Sequence, residues 1–74
     1  MHETDRNGTM YVSDEGIDSA TIEYPDLRSM VAREQRNAAV RARRLATRVL
    51  GGPVRLTRSE DCHTYHHQWT FRAI

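Results

Sequence analysis

The chain has no lysine, one cysteine, two prolines, one tryptophan and one phenylalanine among 74 residues. A lone cysteine, Cys62, excludes an intramolecular disulfide. No apolar run approaches the twenty residues that a membrane-spanning helix needs. The start, Met1-His2-Glu3-Thr4-Asp5, lacks the basic-then-apolar pattern of a secretory leader, so a reducing, intracellular setting is the expectation. No phosphate-cradling loop is present, because Gly51-Gly52 follows a helical pattern and has no lysine or later glycine behind it. So short a chain makes one domain, 1–74, with a modest core.

What the chain does have is arginine. All eleven basic residues are arginines, and their forked guanidinium suits carboxylates and phosphates. GC-rich coding produces the same bias. Charge is also unevenly placed. Residues 1–30 carry seven acids against two arginines, a net −5, while residues 31–74 carry nine arginines against three acids, a net +6. The two halves therefore attract each other or offer opposite faces to different partners.

Residues 1–8 are polar and read as a loose N-terminus. Thr9-Met10-Tyr11-Val12 has strand character, Asp14-Glu15-Gly16 reads as a turn, and Ser19–Tyr24 alternates with Ala20, Ile22 and Tyr24 on one face. From Asp26 to Leu50 the pattern predicts one long helix, capped by Asp26 or Ser29 and stopped by Gly51-Gly52-Pro53. Val31, Ala38, Ala42, Leu45, Ala46 and Val49 share one arc of that helix, with arginines spread opposite and Val40 among them. Val54–Arg58 alternates as a strand, Ser59-Glu60-Asp61 reads as the start of a turn, and His67–Ile74 alternates again. The last two strands offer Val54, Leu56, Trp69 and Phe71 to the helix. The expected fold is α+β, a long amphipathic helix packed on an antiparallel sheet in ββαββ order.

Three groups of residues bear on function. Arg33, Arg36, Arg41, Arg44 and Arg48 form a cationic helix face that can meet nucleic-acid phosphates or an acidic protein. Asp14, Glu15, Asp18 and Glu23 form an alternative acidic contact face able to imitate phosphates. Cys62, His63 and His66 are of zinc-ligand type. On one continuous strand, however, Cys62 and His66 stand about 13 Å apart, at 3.3 Å per residue. In a loop they converge but need a fourth ligand from elsewhere, such as His2. The expectation is therefore no cofactor and no metal. Asp61, Cys62 and His63 are a catalytic triad in composition only, since neighbours on a strand face apart, so no enzymatic activity is expected.

In size and inferred layout the chain resembles small phage-encoded inhibitors of bacterial defence, including anti-CRISPR proteins. That resemblance implies a non-enzymatic inhibitor docking through a charged face on a larger nucleic-acid-processing protein or ribonucleoprotein complex in the cytoplasm of a bacterial host. The alternative is a direct DNA- or RNA-binding module using the arginine helix.

Overall fold

The computed structural model describes residues 2–5, 8–62 and 65–74, with Glu3 and Asp5 as backbone alone. The strands are β1 (His2–Asp5), β2 (Gly8–Glu15), β3 (Ser19–Tyr24), β4 (Val54–Cys62) and β5 (His66–Ala73). A 3₁₀ turn at Leu27–Ser29 and helix α1 (Ala32–Leu50) lie between β3 and β4. The five strands form one antiparallel sheet in the order β1-β2-β3-β5-β4. The fold is α+β, and the expected ββαββ succession is present, with β1 added at the sheet edge.

Alternation decides which side of the sheet α1 covers. Met10, Ala20, Ile22, Tyr24, Val54, Trp69 and Phe71 point to the helix and are buried. Four helix residues meet them: Ala38, Ala42, Leu45 and Ala46. Three are alanines, so the helix backbone lies close to the sheet and Leu45 fills the space between. Val31, expected in this stripe, is 65% exposed because it stands at the N-cap, ahead of the first helical turn.

The predicted rod from Asp26 is broken. The 3₁₀ turn is followed by Met30 in an extended conformation, and α1 starts only at Ala32. Neither Asp26 nor Ser29 caps α1. Instead the Ser29 hydroxyl donates to the Asp26 carbonyl, and the Gln35 side chain donates to the Met30 carbonyl at 2.8 Å. The 3₁₀ turn is anchored elsewhere, since the Arg28 N–H bonds the Tyr65 carbonyl. The helix end is as expected. Gly51 takes the left-handed conformation (φ 78°), and its N–H closes on Thr47.

Two segments depart from their sequence reading. Residues 2–5, expected to be loose, pair with β2 from His2↔Tyr11 to Asp5↔Gly8. The bonds are backbone bonds and need no apolar side chains, and the Thr4 and Thr9 hydroxyls bond each other at 2.9 Å. Ser59-Glu60-Asp61, expected to turn, continues β4 against Trp69, Gln68 and His67 of β5. A bulge between Leu56 and Arg58 shifts the register by one residue. Among the described residues, no helix is long and apolar enough to cross a membrane.

Candidate functional site

Three surfaces concentrate chemistry: the outer face of α1, a groove between α1 and the β4 edge, and the sheet face that the helix leaves open.

On α1, Arg33, Arg36 and Arg44 are exposed. Arg41 is only half-exposed, and both Arg41 and Arg48 have interaction partners. Arg43 is exposed but anchored, with its Nη1 donating to the Val54 carbonyl at 2.8 Å and its guanidinium 5.4 Å from the Phe71 ring centre. Arg43, outside the five arginines of the expected face, thus helps to hold the fold.

Beside Arg43 lies an open groove of about 310 Å³. Ala39, Val40 and Arg43 form one wall, Leu56 and Ser59 of β4 the other, and Trp69 and Phe71 the floor. Val40 and Leu56 are 53% and 43% exposed at its rim. The pairing of β4 with β5 alone makes β4 an edge strand next to this groove.

At the groove end a chain of hydrogen bonds runs from Ser59 to Asp61. Ser59 Oγ is 2.7 Å from His67 Nε2, and His67 Nδ1 is 2.7 Å from Asp61 Oδ1. The sequence places Ser59 and Asp61 two apart on one strand, and register puts His67 opposite Asp61. A carboxylate at Nδ1 fixes the proton there and leaves Nε2 to accept from serine. Arg28 also approaches Asp61, at 3.4 Å. The hydrogen bond from His67 lowers the Asp61 pKa, and with the charges of Arg28 and His67 it outweighs the opposing effect of burial. The His67 ring packs edge-on against Trp69.

The open face of the sheet centres on Glu23, which is 6% exposed. Register lines Tyr11, Glu23, Gln68 and Glu60 in one row across four strands, with His66 and Cys62 opposite each other in the next row on that face. Tyr11 Oη donates to Glu23 Oε2 at 2.5 Å, His66 Nδ1 bonds the same oxygen at 2.9 Å, and Gln68 Nε2 donates to Oε1 at 2.7 Å. The Cys62 thiol reaches Oε1 at 3.8 Å. Burial alone raises the Glu23 pKa. The donors Tyr11, Gln68 and His66 outweigh it and bring the carboxyl down to about 2. The bond to Glu23, then burial and the carboxylate charge, push Tyr11 up to about 12. Burial first, and the nearby carboxylates second, raise the Cys62 thiol.

These positions revise several expectations. Glu23 does not belong to an exposed acidic face, because strand pairing on both sides encloses it. Asp14 and Glu15 are exposed at the β2 end, and Asp18 is paired with Arg72 at 2.8 Å. The 13 Å separation of Cys62 and His66 does not apply. Strand β4 ends at Cys62 and β5 begins at His66, so they sit opposite each other on two strands rather than along one. His63 lies outside the described residues. The sequence reading missed Tyr11, Gln68, Ser59 and His67 as partners. Cross-strand neighbours are visible only once register is known. The fold itself offers no precedent to lean on: no family model, curated protein or solved structure matches the chain.

Proposed function

We propose that this is a binding protein that docks an acidic, partly apolar protein surface across the side of α1 that faces the β4 edge. The observation that carries the reading is the open groove. Its floor and rim are apolar, Arg43 stands in its wall, and Arg36 projects from the same side of the helix about two turns before Arg43. Apolar rim residues gain from a protein surface and little from a phosphate backbone, which favours a protein over a nucleic acid. In the form implied by the resemblance in size and layout, the partner is a CRISPR effector complex in a bacterial cytoplasm, and docking blocks its guide or target.

The test is affinity purification from the native host, with and without nuclease, using the wild type and two folded variants, Val40→Asp and Arg36→Glu. A stoichiometric complex that resists nuclease and weakens at least tenfold in both variants is the expected result. Loss of every partner on nuclease treatment, or indifference to both variants, overturns it. Direct nucleic-acid binding through Arg33 and Arg44 would instead show a gel shift that falls steeply with salt.

The Ser59–His67–Asp61 chain favours a second reading, acyl transfer with Ser59 as nucleophile beside the groove it lines. It ranks lower because Ser59 and Asp61 are exposed, so water weakens the electrostatics that activate a serine. Fluorophosphonate labelling of Ser59 that is lost in His67→Ala would establish it, and an unlabelled Ser59 would remove it.

A further inference from the structure

We propose that Glu23, Cys62 and His66 form a zinc(II) site on the open face of the sheet, clamping the β4–β5 hairpin to β3. This inference is independent of the docking reading, since the groove lies on the opposite, helix-bearing face.

Geometry is the first argument. Ligands in a tetrahedral zinc site, about 2.0–2.3 Å from the metal, stand about 3.3–3.8 Å from one another. Here Cys62 Sγ is 3.8 Å from Glu23 Oε1, His66 Nδ1 is 2.9 Å from Glu23 Oε2, and all three ligand atoms lie within 4.8 Å of one another. Ligands on three strands thus converge to near the right spacing before any metal arrives. Adjustments of side-chain torsions suffice, because the strands already hold the three Cα atoms.

Chemistry is the second argument. Thiolate, imidazole and carboxylate are the three side-chain donors zinc prefers. One thiolate and one carboxylate balance the divalent charge, which leaves a neutral centre where Glu23 is almost fully enclosed. On binding, Cys62 releases its thiol proton to solvent, and His66 carries its ring proton on Nε2 so that Nδ1 donates a lone pair. The metal takes the place of the His66–Glu23 hydrogen bond. Tyr11 and Gln68, one on each carboxylate oxygen, still orient Glu23, as hydrogen-bond donors to a metal carboxylate commonly do. The His66 side chain is 33% exposed, so a water can complete the coordination from the solvent side.

The need is the third argument. A domain this small gains little from its alanine-rich helix interface, and a metal is a common supplement to a small core. The site ties residue 23 to residues 62 and 66, which lie far apart in the chain.

The experiment uses the full chain, reduced and stripped with a chelator, and titrates it with zinc chloride by calorimetry and with cobalt(II) chloride by absorbance. The expected results are one equivalent bound, a thiolate-to-cobalt charge-transfer band, and a rise in thermal midpoint with zinc. Cys62→Ser abolishes the band and the thermal rise, and His66→Gln weakens binding at least tenfold. His67→Gln, on the other face, leaves both intact. Circular dichroism of each metal-free variant checks that it folds; Cys62 and His66 pair at the connection end of the β4–β5 hairpin and are not part of the buried core. Absence of saturable one-equivalent binding overturns the proposal, as does binding that Cys62→Ser leaves unchanged or that His67→Gln removes.

Discussion

A carboxylate enclosed on a central strand is costly unless donors replace the water it loses. Glu23 has three such donors, from β2 and β5, and its pKa of about 2 lies below the ordinary 4.5. The unfolded chain therefore takes up this proton more readily than the folded one. The Glu23 contribution is present in full above pH 4.5 and disappears as pH falls from there toward 2. Thermal melts of metal-free protein across this range are expected to show a falling midpoint, with a shallower slope in Glu23→Gln. Equal slopes would remove Glu23 from the account. The same bond makes a second prediction. Tyr11 is expected to ionise near pH 12 in an absorbance titration, and nearer 10 in Glu23→Gln, where the carboxylate charge is gone. Alternation along Ser19–Tyr24 was enough to place Glu23 on the face away from the helix. It could not show that the face is crowded, because Tyr11, Gln68 and His66 come alongside only through the order β2-β3-β5. Likewise the Ser59–His67–Asp61 chain is invisible in sequence, where His67 stands eight residues from Ser59 and six from Asp61.

Among the elements, α1 was the most legible, since a 3.6-residue stripe and a glycine stop both survive in the fold. Its start was not. Asp26 and Ser29 look like caps, but the chain there is held by the β4–β5 connection through Arg28 and Tyr65, and this tertiary bond overrides the local signal. The β4 end was misread for a related reason. Ser, Glu and Asp favour turns in isolation, yet pairing with Trp69, Gln68 and His67 keeps them extended. The helix interface yields two expectations. Leu45 is the one large side chain that α1 buries completely, and Leu45→Ala should cost about 2–5 kcal/mol in chemical denaturation. In a domain whose total stability is on the order of 5 kcal/mol, a loss at the upper end of that range leaves about half of the protein unfolded. At the other end, Gly51→Ala meets no neighbouring atom but must hold φ 78°, so it should cost about 1–2 kcal/mol through backbone strain alone. A Gly51→Ala variant as stable as wild type would mean that the helix end does not need the left-handed cap.

For the molecule as a whole, the order of strands in the sheet matters more than their order in the chain. The central pair joins β3 to β5, from Ser19↔Arg72 to Tyr24↔His67, so its partners lie more than forty residues apart. The intervening chain holds α1 and β4, and β5 lies between β3 and β4. Core residues of β3 therefore have no sheet neighbour on that side until the last strand arrives. Loop closure of this kind must occur before any contact rewards it, and it slows folding. The single tryptophan, Trp69, sits on β5, is 4% exposed and opposes Ile22, so its fluorescence reports this closing step directly. Refolding followed by Trp69 is expected to take milliseconds to seconds, while far-ultraviolet helix signal gains part of its amplitude earlier because α1 is local. Leu45→Ala should then mainly speed unfolding if the helix docks after β5 inserts, and should slow refolding if docking comes first. A Trp69 signal that completes in microseconds would show that β5 insertion does not limit folding, and would place the barrier elsewhere in the sheet.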